Sequence, residues 1–114
     1  MNTEMETRSN ITFKLPPPGE GAACDYRDAG KELGAEYAKC WIAIHSAAAA
    51  KGFLTPARAD EFQRRAVADM VGTAGVLRAR GYAAARIAQF ENAMRSGYKD
   101  ALSRFREYTQ AKNS

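Results

Sequence analysis

Residues 55–81 are the only stretch of the chain with both a start signal and a stop signal for a helix, and the remaining segments are read against it. Thr55 suits the N-cap and Pro56 the first turn, while Asp60 and Glu61 favour the positive end of the helix. Arg78, Arg80 and Gly81 suit its C-terminus. The spacing predicts a helix of about seven turns. At about 100° per residue, Ala59, Phe62, Ala66, Met70, Thr73 and Leu77 form one stripe. Ala68, Gly72, Gly75 and Ala79 form a second on the opposite side. A helix with two such faces belongs between neighbours.

A preceding helix is expected from about residue 25 or 26 to Lys51, with Gly52 as its terminator. Tyr26, Ala29, Leu33, Tyr37, Cys40, Ile44 and Ala48 make its stripe, and charged residues decorate the back of its first half. From Cys40 to Ala50 there is no formally charged residue, which predicts a half-helix buried all round. A third helix begins near Tyr82 and reaches about Gln110. Ile87, Phe90, Met94, Tyr98, Ala101, Leu102, Phe105 and Tyr108 fall on one side of it. Gly97 costs roughly 1 kcal/mol against alanine in such a helix. It marks either close packing on a neighbour or a break into two helices.

Ahead of the helices, residues 1–9 are polar and expected to be mobile. Residues 10–15 alternate, with Ile11, Phe13 and Leu15 on one side and Thr12 and Lys14 on the other, the pattern of a strand. Pro16, Pro17 and Pro18 stop it, and a glycine-containing loop follows. No other segment reads as a second strand, and a lone strand leaves its backbone groups unsatisfied. The arm is therefore disordered, laid on the helices, or paired with another chain. The expected fold is all-α: three long helices, or four if the third breaks near Gly97, with an extended N-terminal arm. Residues 1–24 form the arm and residues 25–114 the helical domain.

A chain of 114 residues buries roughly 65% of its unfolded surface and folds without staples. Cys24 and Cys40 would lie roughly 20 Å apart along or beside the first helix, too far for a disulfide, and read as free thiols of a reducing cytosol. The N-terminal residues lack the apolar region of a signal peptide, and no run approaches the ~18 apolar residues of a membrane span. A cytoplasmic protein without a membrane partner is expected. The net charge of +4 is uneven: residues 1–57 hold six basic and seven acidic side chains, residues 58–114 eleven and six. That bias admits nucleic acid or an acidic protein surface as partner.

The inventory for chemistry is thin. His45 is the only histidine, so no histidine pair is available for a metal, and Cys40 lies about 140° from it round the helix. Gly30 followed by Lys31 fails as a phosphate loop, because Asp25 and Glu32 stand where glycine and a hydroxyl residue are required. Asp60 with Arg64, Glu61 with Arg65, and Asp100 with Arg104 are acid-to-base pairs at four-residue spacing, which stabilise a helix and are no acid–base dyad. No catalytic, metal or cofactor residue is assigned.

Binding is better supported. Arg95, Lys99 and Arg106 lie on one line of the third helix, and Arg78, Arg80 and Arg86 bracket the turn at Gly81. Such a ridge meets an acidic surface, with help from Tyr98 and Tyr108 where exposed, or follows phosphates. As the turn of a helix-turn-helix, Gly81 has bulky Leu77 where a small residue is wanted and Arg80 where an apolar one is. Small residues spaced as Ala68, Gly72, Gly75 and Ala79 let two backbones come close, with Val71 and Val76 flanking them. If both other helices pack on the Phe62 side, this face is left for a dimer. The residues thus point to a small non-catalytic adaptor or inhibitor, homodimeric, binding a larger protein with an acidic surface. The alternative is a nucleic-acid-binding regulator that uses the six basic residues.

Overall fold

In a computed structural model, residues 2–112 are described, with side chains through residue 106. The order is β1 (Thr3–Glu6), β2 (Thr12–Leu15), α1 (Ala23–Ala50), α2 (Pro56–Ala79) and α3 (Ala84–Lys112). The chain is mostly helical, and its three helices run up, down and up. The third is continuous through Gly97, so a break there is not seen.

The caps fall where local chemistry puts them. The Thr55 hydroxyl accepts the Arg58 N–H at 3.2 Å, and Pro56 opens α2. The Asp25 carboxylate accepts the Ala22 N–H at 2.8 Å and fixes the start of α1. Gly52 and Gly81 end α1 and α2 at φ of 74° and 90°, a region in which a Cβ is strained. Past Gly81 the Tyr82 N–H returns to the Leu77 carbonyl at 3.2 Å. Its ring then meets Tyr26 edge-on, with centroids 6.0 Å apart.

The backbones of α1 and α3 come together at three glycines. A Cβ on Gly30 would fall on the Phe90 carbonyl, one on Gly34 on the Met94 carbonyl and the Tyr98 amide, and one on Gly97 on the Lys31 carbonyl. The register advances in the same direction on both helices, which are therefore parallel. They share the most extensive contact in the molecule, and α2 packs less extensively on each. The close approach expected of Gly97 is present. Gly72 and Gly75, by contrast, face open space.

The N-terminal segment departs most from expectation. Residues 3–6, expected to be mobile, pair antiparallel with the expected strand, Thr3 opposite Leu15 and Glu6 opposite Thr12. The strand is thus neither lone nor dependent on another chain. Asn10, at φ 62°, turns the hairpin, and the Thr7 hydroxyl accepts the N–H groups of Ser9 and Ile11. Ser9 donates its hydroxyl to the buried Asp69 of α2 at 2.6 Å and its N–H at 3.2 Å. Met5 and Leu15 join the core formed by Tyr26, Leu33, Tyr37, Met70, Leu77, Phe90 and Met94. Phe13 stacks on Phe90 with centroids 5.6 Å apart. Two tyrosine hydroxyls hold the proline-rich connection, Tyr82 on the Pro16 carbonyl at 2.8 Å and Tyr26 on that of Glu20 at 2.7 Å.

A second expectation is overturned at the far end of α1. Residues 40–50 are not buried all round: most are exposed, Ile44 to 49% and, past the helix, Phe53 to 57%. The hairpin that covers α1 reaches only to about Tyr37, so the last turns have fewer neighbours. The missing charge there reflects a run of alanine, the strongest helix former, rather than burial.

Candidate functional site

Among the described residues neither α1 nor α3 covers the second face of α2, and the hairpin borders it only at Gly72 and Val76, which line a small cavity with Glu6, Thr7 and Arg8. Ala66, Met70, Thr73 and Leu77 turn inward with Phe62 half-buried on the same side, and α1 and α3 both lie there. Ala68, Gly75 and Ala79 are exposed and Gly72 is half-buried. Val71 and Val76 flank them at 54% and 45% exposure, and Val67 on the Val71 side is 43% exposed. Between Ala66 and Leu77 the only charged residue is Asp69, which is buried under Ser9. The result is about three turns of uncharged, small-residue helix surface.

Of the basic residues, Arg95, Lys99 and Arg106 line one groove between α2 and α3, of about 490 Å³. Its floor is apolar, from Val67 and Met70 of α2 and Leu102 of α3. Arg95 is held at the rim by Glu91 at 2.7 Å. Tyr98 also lines the groove, but it is buried rather than exposed, and its hydroxyl has no hydrogen-bond partner among the described residues. Burial holds its pKa above the ordinary 10.0, and Arg106 pulls the other way. The side chain of Tyr108 lies outside the described residues.

The other three cations stand apart. Arg78 and Arg80 are exposed at the C-terminus of α2, where the helix dipole favours them. The Arg86 guanidinium lies 5.7 Å from the centre of the Tyr26 ring and donates to Gln89 at 2.9 Å. Arg86 and Arg106 are twenty residues apart, about 30 Å along α3. The six basic residues therefore do not form one surface.

Cys24 is exposed and Cys40 half-buried, both free. His45, half-buried, stacks on Trp41 with centroids 4.7 Å apart, and the Trp41 indole N–H is buried without a partner among the described residues. Among the described residues no group of three or more His, Cys, Asp or Glu side chains is placed to hold a metal ion, and no helix is long and apolar enough to cross a membrane. The apolar floor of the α2/α3 groove was not visible in the sequence reading. Met70 stands there only as part of the Phe62 stripe, and Val67 is not singled out, although it precedes Val71 by one turn. No protein-family model, curated protein or solved structure matches the chain.

Proposed function

We propose that this chain is a non-catalytic protein-interaction module that acts as a homodimer, an adaptor or inhibitor that occludes part of a larger protein. The observation that carries the reading is the uncharged outer face of α2. An isologous dimer sets one patch against itself, so the patch must be its own complement. A floor of Ala68, Gly72, Gly75 and Ala79 between Val71 and Val76 meets that condition, because the valine ridge of one copy fits the small-residue groove of the other. The groove of Arg95, Lys99 and Arg106 takes an acidic surface of the larger protein, whose apolar side chains sit on the exposed Val67 above the buried Met70 and Leu102. That floor favours a protein over a phosphate backbone, which offers nothing apolar to cover it.

The test is size-exclusion chromatography with light scattering at low salt, with absorbance read at two wavelengths. The expected species is twice the 12.5 kDa of one chain, free of nucleic acid. Replacing Gly72 and Gly75 together by leucine gives folded monomers, since a side chain at either position meets open space within one chain. A dimer indifferent to both substitutions would sink this interface. A monomeric parent that carries nucleic acid would move the reading to the regulator.

A further inference from the structure

On the opposite flank from the α2 face, the hairpin has an open edge. The Thr7 N–H bonds the Ile11 carbonyl at 2.9 Å, which sets the alternation of the ladder and makes Met5 with Phe13 and Thr3 with Leu15 the pairs that face each other through backbone bonds. The backbone groups of Thr12 and Lys14 then point away from β1 and have no hydrogen-bond partner among the described residues. They border a groove of about 730 Å³ between β2 and α1. The strand lies along the helix, with Pro16 by Asp25 and Thr7 by Tyr37.

The wall opposite this edge is acidic. Asp25, Asp28, Glu32 and Glu36 all line the groove, and at three- and four-residue spacing they occupy one stripe of α1. Asp25 is engaged by the Ala22 N–H and Glu36 by Lys39, whereas Asp28 and Glu32 form no ion pair among the described residues. Their four-residue separation is about 6 Å of helix rise, and side chains on one face of a strand recur at about 6.7 Å. The deeper wall is apolar, from Ala29, Leu33 and Phe13.

We infer that this groove binds an extended basic segment of a partner protein, which adds to β2 as a third strand and sets its alternate cationic side chains against Asp28 and Glu32. Main-chain bonds to Thr12 and Lys14 supply the affinity and the carboxylates supply the choice of sequence. A second copy of this chain is the wrong occupant. Pairing two β2 edges would bring a second acidic stripe against the first, and like charges facing each other are repelled. The inference uses neither α2 nor the cations of α3, so it stands or falls apart from the homodimer.

The probe is a labelled nine-residue peptide of alternating lysine and threonine, titrated into the full chain by fluorescence anisotropy, with amide exchange followed at Thr12 and Lys14. Binding slows exchange at both amides. Asp28→Lys with Glu32→Lys weakens it about ten-fold or more. Lys14→Pro removes an outward N–H that the hairpin does not use and also removes a cation. Charge alone would make that variant bind the basic peptide more tightly, whereas strand addition makes it bind more weakly. A twin peptide N-methylated at every residue, tested on the unaltered chain, reads the same point without any change to the protein, and it fails to bind. Tighter binding by Lys14→Pro, equal binding of the methylated twin, no binding at all, or protection at Thr12 and Lys14 in a peptide-free dimer would each overturn the inference.

Discussion

Gly34 sits where another helix's carbonyl occupies the space a side chain would need. Gly34→Ala drives a methyl into the Met94 carbonyl and the Tyr98 amide, both backbone atoms that cannot swing aside. The two helices must separate, at a cost of about 1–3 kcal/mol or more, read as a lower denaturant midpoint. Gly75→Ala runs the other way. Its methyl meets nothing, and alanine in a helix interior gains about 1 kcal/mol over glycine, so the same experiment on the isolated chain shows a higher midpoint. A destabilised Gly75→Ala chain at monomer concentrations would contradict the open face. Sequence alone ranked these residues the other way round. It read Gly72 and Gly75 for close packing and Gly30 only for phosphate, because a glycine's neighbour in space belongs to a different helix and leaves no trace in the local pattern. Gly97 was legible because it lay at the edge of a complete apolar stripe.

At the scale of elements, the hairpin is tied to α2 by one buried carboxylate in addition to its own ladder. Asp69 receives two bonds from Ser9, and removing a charged acceptor of this kind costs about 1.5–3 kcal/mol. Asp69→Ala is therefore expected to loosen the turn selectively. Amide exchange at Thr7, whose N–H closes the hairpin on Ile11, accelerates more than exchange in the centre of α1. Equal acceleration in both would mean a global effect and no special role for this anchor. β2 was legible from Ile11, Phe13 and Leu15, but β1 was not. Thr3, Glu4, Met5 and Glu6 alternate, yet Met5 alone is large and apolar, and two glutamates speak for solvent. Its strand character comes from the partner it pairs with. The three helices were legible because each carries a long stripe, with Gly52 and Gly81 marking where the first two end. The uncharged end of α1 was misread because alanine serves helix formation and burial alike.

At the scale of the whole molecule, tyrosine joins the parts. Tyr26, Tyr37, Tyr82 and Tyr98 are buried, and burial holds the pKa of each above the ordinary 10.0. Below pH 10 folded and unfolded chains are equally protonated at these groups, so their contribution is fully present. As pH rises past 10 the unfolded chain releases phenolic protons that the folded chain retains, and stability falls. The expected result is cooperative alkaline unfolding above pH 10, with tyrosinate absorbance rising in step with loss of helix. Absorbance that rises well before the helix signal falls would show these hydroxyls accessible in the fold. The two sets of glycines also turn natural variation into a reporter. In diverged chains of this architecture, positions 30, 34 and 97 admit no side chain whatever the protein does, because the constraint is internal. Positions 72 and 75 are free to drift unless a second chain presses on α2, so their persistence as glycine across descendants would record that contact, and their loss its absence.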